Sequence, residues 1–355
     1  MVLRHLMRVL GDDPKDAANL SREDAYRAFR AILEGGESEV LVGAFLTCLR
    51  WKGVTVEELG GFADAARGMA RIPCQGVPGL VCVCPSHDGH DQYPPLDVAA
   101  GIIAAGAGTR VLLISDRCVP PRRGLTASSV LESLGLSMTW DPSEAEDWVA
   151  KGGFAAVAVS GLLPALLALR RVRGDVVLRT PLSTVEKLLG PASSAVLIGA
   201  QEGPVLGIAV EVIQGLGHPR GIAIQGLDGG VIPSVRRRTR GIEISDAHLV
   251  PLTVEPQDFG LDDVREPELP MFGPPEDGYG TADNPQLVKA AGEMTLDVLS
   301  GGRGPARKAA LLGAALILKA SGRSPTLAEG VDSAANALDG GAAGDTLERL
   351  RTLLS

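Results

Sequence analysis

Aromatic side chains are scarce: six Phe, three Tyr and three Trp make up 3% of the 355 residues. A core of stacked rings is therefore excluded, and packing falls to Ala, Val, Leu and Ile. Long apolar runs are missing as well. No stretch approaches the ~20 apolar residues that span a bilayer, and residues 1–10 carry two arginines instead of a signal-peptide apolar core. No membrane partner and a cytoplasmic location are expected. The five cysteines, Cys48, Cys74, Cys82, Cys84 and Cys118, form no even, regularly spaced framework, which excludes a disulfide scaffold and predicts reduced thiols. An excess of positive charge is lacking too. With 34 Lys and Arg against 43 Asp and Glu, the net charge of −9 repels polyanions. An indiscriminate nucleic-acid binder is excluded, and only a local basic surface would overcome the field.

What is present fits a globular protein. Hydrophobic residues at 45% exclude disorder, and 45 glycines predict many tight turns. The length suits one large domain with a smaller companion. From residue 20, apolar positions recur at helical spacing (Ala25, Phe29, Ile32, Leu33, then Leu41, Ala44, Phe45, Leu49), and Thr55-Val-Glu-Glu opens a third helix. After Gly79 the pattern alternates. Apolar runs at 80–84, 110–114, 155–159, 195–198, 221–224 and 248–254 predict strands, separated by helical stretches near 96–107, 126–134, 162–171 and 207–214. The fold class is α/β: a small N-terminal helical subdomain plus a large, mostly parallel sheet covered on both faces. Residues 256–285 hold six prolines without a period and read as a surface excursion, after which four helices return.

Four segments carry a resemblance. These are "LSREDAYRAFRAILEGGESEVLVGAFLTCLRWKGVTVEELGGFADAARGMA" at 20–70, "AGTRVLLISDR...RRGLTASSVLESLG" at 107–135, "GHPRGIAIQGLDGG" at 217–230 and "VLSGGRGPARKAALLGAALILKASGRSPTLAEGVDSAANAL" at 298–338. In this order they resemble the anthranilate phosphoribosyltransferase-like family, glycosyltransferase family 3, whose helical opening is shared with pyrimidine nucleoside phosphorylases. The resemblance implies a helical domain at 1–73 with a contribution from about 176–192. The large α/β domain would be 74–175 and 193–355. It also implies a homodimer through the helical subdomain.

The departures concern the family's chemistry. Where the family reads GTGGD and cradles pyrophosphate on backbone amides, this chain reads Pro85-Ser86-His87-Asp88-Gly89-His90-Asp91. The family's KHGNR segment is Leu113-Ile114-Ser115-Asp116-Arg117, and its magnesium-holding GLDE is Gly226-Leu227-Asp228-Gly229. Asp228 keeps one of two acids, so one Mg site is implied at most. "PSHDGH" and "GLDGGVIPSVRRRTRGIE" are similar to a non-tryptophan-pathway branch of the family whose members are described as nucleic-acid binders.

The candidate phosphate ligands are Ser86, Asp88, Gly89, Arg117, Arg122, Arg123, Ser128 and the cluster Arg236, Arg237, Arg238 and Arg240, because guanidinium forks match phosphate oxygens. Basic runs also arise as solvated loops or as partners of nearby acids, and Ser128 and Ser129 serve equally as the start of a helix capped by Thr126. His87, Asp88, His90 and Asp91 are metal-ligand types, but a polar turn at Asp88-Gly89 explains them more simply. Cys82 and Cys84 share one strand face as small hydrophobes. No catalytic residue is designated. Two function classes follow: a protein binding a phosphate-bearing small molecule or nucleic acid at the cleft without anthranilate phosphoribosyltransferase activity, or a pentosyltransferase using Asp228 and one Mg with another acceptor.

Overall fold

A computed structural model describes residues 2–11, 18–201, 203, 205–245, 248–270 and 284–354. Four helices come first: α1 (Val2–Leu10), α2 (Arg22–Leu33), α3 (Glu39–Lys52) and α4 (Val56–Met69). Their ends follow from sequence. Ser21 caps α2 by accepting from the Asp24 amide, Gly53 ends α3 at φ 83°, and Thr55 and Glu58 form a reciprocal capping box on α4. Glu58 is fully buried, and the same carboxylate accepts from the Leu20 amide and from Lys52 Nζ, both at 2.8 Å. Phe29 and Phe45 both pack on Phe62 inside this bundle, so three of the six phenylalanines sit where four short helices need bulk.

The sheet follows as β1 (Leu80–Cys84), α5 (Asp97–Gly106), β2 (Arg110–Ser115), α6 (Ala127–Ser133), α7 (Pro142–Gly152) and β3 (Phe154–Ala158). Four short helices come next, α8 (Val159–Leu162), α9 (Ala165–Ala168), α10 (Arg170–Val176) and α11 (Leu182–Val185). Then come β4 (Ala195–Gly199), α12 (Val205–Gly215), β5 (Gly221–Ile224), β6 (Thr239–Ser245) and β7 (His248–Val254). Helices α13 (Pro285–Leu299), α14 (Pro305–Ala320), α15 (Leu327–Asp339) and α16 (Ala342–Leu354) complete the chain. The strand order is β3-β2-β1-β4-β5-β6-β7, with β1 to β5 parallel and β6 and β7 antiparallel.

Alternation sorts the strands between two cores. Val81, Val83, Val111 and Leu113 face α5 and α14, whereas Leu80, Cys82, Cys84, Leu112 and Ile114 join the core that runs on into the helical bundle. The Cys82 and Cys84 thiols are pushed up by burial, Cys82 to about 12, so they pack as apolar groups.

The fold class agrees with the sequence reading, and several details do not. The stretch expected as one helix at 162–171 is broken at Pro164 and resumes as α9 and α10, since Pro supplies no amide to the turn before it. Strand β6 and helices α1 and α7 were not expected. Of the expected surface excursion, residues 256–270 are partly anchored: Leu269 is buried, its amide bonds to the Gln92 carbonyl at 3.0 Å, and buried Glu266 accepts from the Val235 amide at 3.1 Å. Residues 271–283 lie outside the described residues. No helix among the described residues is long and apolar enough to cross a membrane.

Candidate functional site

The strand order changes direction at β1, with β2 and β3 running to one side and β4 and β5 to the other. In open α/β sheets, ligands bind where such a reversal leaves a crevice outside the carboxyl ends of the strands. Here that crevice is formed by the loop after β1 (85–93), by Ala200, Gln201 and Gly203 after β4 and by the loop after β5 (225–230), roofed by the end of α3 and by α11.

The loop after β1 uses its own amides. The Gly89 amide bonds to the Ser86 carbonyl at 3.1 Å and the His90 amide to the Leu125 carbonyl at 2.7 Å. Those of Asp91, Gln92 and Tyr93 converge on Asp228 Oδ2 at 3.1, 3.1 and 3.3 Å. Three successive amides aimed at one point make an anion nest, and a carboxylate of this chain fills it. Gly89, at φ 83°, has to be glycine, because a Cβ would lie 2.3 Å from the Gly124 backbone. Arg122 knots the loops together, donating to the Gly89 carbonyl at 2.7 Å and the Asp228 carbonyl at 3.2 Å and pairing with Asp91 at 3.1 Å.

Ser86 and Asp88 lie beneath. Arg179 grips Asp88 with two bonds, Nε to Oδ2 at 2.5 Å and Nη2 to Oδ1 at 2.6 Å, and reaches Ser86 Oγ at 3.2 Å. Burial pushes the Asp88 carboxyl up, but the bonds and charge of Arg179 outweigh it and hold the group below the usual carboxylate range.

Two cavities open here. The first, about 210 Å³, lies between the bundle and the sheet. Leu49, Val54, Ile198, Val205, Ile208 and Ala209 form its apolar wall, and Ser86, His87, Asp88, Arg173, Glu186 and Lys187 its polar floor. Arg173 and Glu186 form a buried ion pair, and Lys187 Nζ donates to the Gly199 carbonyl at 2.5 Å. Burial lowers Lys187 to about 8. The second, about 620 Å³, is lined by Tyr93, Gln225, Asp228, Arg237, Arg238 and Arg240 among others. These arginines are exposed. Arg238 pairs with Glu255, while no side-chain ion pair is formed by Arg236, Arg237 or Arg240 within the described residues.

The structure brings most of the sequence-derived candidates together. Ser86, Asp88, Gly89 and Arg122 meet in one knot with Asp228, and Arg237, Arg238 and Arg240 flank it. Arg117 is elsewhere, paired with Glu132 at 2.7 Å in a groove between α6 and α13. Arg123 has φ 53° and extends toward Gly174. Ser128 is buried in the first turn of α6; Thr126 holds the N-cap position but makes no capping bond, its hydroxyl being enclosed without a partner. Arg170 and Arg173 are partners of Asp116 and Glu186. No group of three or more His, Cys, Asp or Glu residues is placed to hold a metal ion among the described residues, including around His87, Asp88, His90 and Asp91. Arg179, Lys187, Glu186 and His87 were not selected from sequence as parts of one site.

Comparison with known proteins gives the same architecture. The helical bundle domain of the glycosyl transferase family matches residues 6–70, and the a/b domain of that family matches residues 95–344. The chain is similar to the anthranilate phosphoribosyltransferase of Methylobacterium radiotolerans, 32% identical with 98% of this chain and 94% of that protein covered. The one from Methanosphaerula palustris is 30% identical over 99% and 98%. Among solved structures, anthranilate phosphoribosyltransferase from Thermus thermophilus aligns with a TM-score of 0.79 at 23% identity, covering 95% of this chain and 96% of that one. The Saccharomyces cerevisiae protein in complex with PRPP and Mg aligns at 0.77 and 18%, covering 99% and 97%.

Proposed function

This chain belongs to glycosyl transferase family 3, and from that premise we propose that its cleft binds a phosphate-bearing ligand, a nucleotide or nucleic acid, without transferring a phosphoribosyl group to anthranilate. The observation that carries this reading is the fate of the amides in the loop after β1. Departing pyrophosphate needs donors already aimed at its developing charge. Here the amides of residues 89–93 are spent on Ser86, Leu125 and Asp228.

Magnesium fits poorly as a protein-held ion. Asp228 offers one carboxylate whose Oδ2 is already shared by three amides, and guanidinium groups of Arg237 and Arg238 line the same cavity. Magnesium demands near-octahedral oxygen ligands, which ligand phosphates and water would have to supply almost alone. The exposed arginines, by contrast, suit phosphate directly.

A second reading is favoured by the relatives' names: a pentosyltransferase that keeps Asp228 for one Mg and uses another acceptor. Mg-dependent release of pyrophosphate from PRPP with acceptors other than anthranilate separates the two: none is expected on the first reading, and release would favour the second. With PRPP, Mg and anthranilate, no product above background is expected; robust Mg-dependent turnover would overturn the proposal. Binding of duplex DNA should weaken steeply with salt. Arg237→Ala with Arg238→Ala should lower the log-log salt slope by about two, roughly 0.9 for each lost phosphate contact. Lys at both positions should give an intermediate result, keeping charge but losing the fork. An unchanged slope in the folded Ala variant would remove these arginines from the site.

A further inference from the structure

We infer that the amino ends of the parallel strands carry a docking surface for an acidic protein segment, and that Arg110, Arg220 and Arg323 read it. This surface lies at the end of the sheet opposite the crevice, a strand length or about 15–20 Å away. It stands independently of what the cleft binds.

Arg110 opens β2 and Arg220 immediately precedes β5, with β1 and β4 between them. Neighbouring strands lie about 4.8 Å apart, so the two backbones stand about 14 Å apart. Arg323, just beyond the end of α14, completes the arc. Its guanidinium lies against Gly108, where a Cβ would meet Nη2 at 3.0 Å, and that of Arg220 lies against Gly322, where a Cβ would meet Nη1 at 2.8 Å. Both glycines take positive φ, 89° and 78°. Arg110 Nη1 donates to the Pro78 carbonyl at 3.2 Å. Each guanidinium is thus seated on the backbone of another segment, and all three arginines are exposed. None of them forms an ion pair within the described residues, in a chain with 43 acidic residues against 34 Lys and Arg. Lys319, one turn before Gly322, is by contrast paired with Glu243 at 3.0 Å.

Charge complementarity and spacing select the partner. Guanidinium forks take carboxylates bidentately. The three heads rest on separate chain segments, so an extended ligand engages all of them and a single small anion does not. Alternate side chains of an extended peptide recur on one face every ~6.7 Å, so carboxylates at three alternate positions cover about 13 Å, close to the width of the arc. Duplex nucleic acid brings one charge per ~1.7 Å of its axis, and the net charge of −9 repels so dense an array. A peptide with a few spaced carboxylates meets the same arginines with far less of that repulsion.

Fluorescence anisotropy of a labelled peptide of alternating Glu and Thr, titrated with the full chain at low ionic strength, tests this beside the matching Lys–Thr peptide and oligothymidylate. The Glu peptide should bind and the Lys peptide should not, with affinity falling as salt rises. Arg110→Ala, Arg220→Ala and Arg323→Ala together should weaken binding about tenfold, the combined effect of three exposed ion pairs. Lys at the same three positions should recover part of the loss, keeping charge without the fork. Arg237→Ala with Arg238→Ala, at the cleft, should leave the affinity for the peptide as it is. Hydrogen exchange in the parent chain needs no variant to fold: with the Glu peptide bound, it should slow at residues 107–110, 217–221 and 321–323 and stay unaltered at 89–93. No binding of the Glu peptide, equal binding in the triple Ala variant, protection at 89–93 instead, or tighter binding of oligothymidylate at these three arginines would each overturn the inference.

Discussion

Asp228 combines a left-handed backbone, φ 53°, with a carboxylate oxygen that three amides share. Asn tolerates that backbone region as well as Asp does, so Asp228→Asn isolates the charge. Hydrogen bonds to a charged acceptor contribute about 1.5–3 kcal/mol and neutral ones about 0.5–1.5; the substitution should therefore cost about 1–3 kcal/mol in urea unfolding. Asp228→Ala should cost more, since it strands the amides of Asp91, Gln92 and Tyr93. Unaltered stability in Asp228→Asn would show that the nest is not charge-dependent. At this scale the sequence singled out Asp228, Ser86 and the 236–240 arginines as candidates, because they lie in segments whose order resembles a family. It concealed Arg179. That residue is an isolated arginine among Val176, Val177, Leu178 and Thr180, and its partner Asp88 is 91 positions away; nothing local marks such a pair.

Helix α4 and helix α12 show how differently two helical glycines behave. A Cβ on Gly61 would lie 2.3 Å from the Arg22 carbonyl oxygen and 2.8 Å from the Tyr26 nitrogen, so α2 and α4 pack backbone to backbone there. A Cβ on Gly207 would meet nothing within 4 Å. Replacing glycine by alanine gains about 0.5–1 kcal/mol of helix propensity in either helix, whereas overpacking costs about 1–3 kcal/mol or more. Gly61→Ala should thus be destabilising and Gly207→Ala stabilising, checked by the denaturation midpoints of the two variants. Equal midpoints would contradict the close approach of α2 and α4. Most elements were legible from periodicity because burial on both sheet faces leaves unbroken apolar runs such as Leu80 to Cys84. Strand β6 was not, since Arg240 and Glu243 interrupt Thr239-Arg-Gly-Ile-Glu-Ile-Ser and the preceding arginines mask its start. Helix α7 does carry its signals, Asp141 as cap and Pro142 in the first turn, but only half of its residues are apolar enough to show a period.

For the whole molecule, buried titrating groups set a pH profile. His87, His90 and His218 are lowered, chiefly by burial, to about 3, 4 and 4 from an ordinary 6.5. Unfolded chains take up these protons near pH 6.5 while the folded protein does not until far lower, so each histidine's contribution is complete above 6.5 and lost on acidification. Asp97 opposes them. Burial raises its carboxyl to about 7 from 3.8, so the folded state keeps a proton that the unfolded chain gives up, and acidification favours folding there; the Glu186 carboxyl, also raised by burial, acts in the same direction. The three histidines outnumber the two raised carboxyls, so a net loss of stability is expected on acidification between roughly pH 6 and pH 4.5. Urea midpoints measured across that window should fall steadily with acidification; a flat profile would mean that these histidines are solvated.

The carboxylate resting among the amides of residues 91–93 also acts as a competitor that never diffuses away. Asp228 is tied to that nest by the chain and by Arg122, so its local concentration there is fixed by geometry and independent of dilution. An anion from solution gains those amides only during the fraction of time when the resident group is out, and its apparent dissociation constant rises by the inverse of that fraction. Scarce monovalent anions are thereby kept off the amides, and a ligand must bring several charges to the neighbouring arginines before it can evict the occupant.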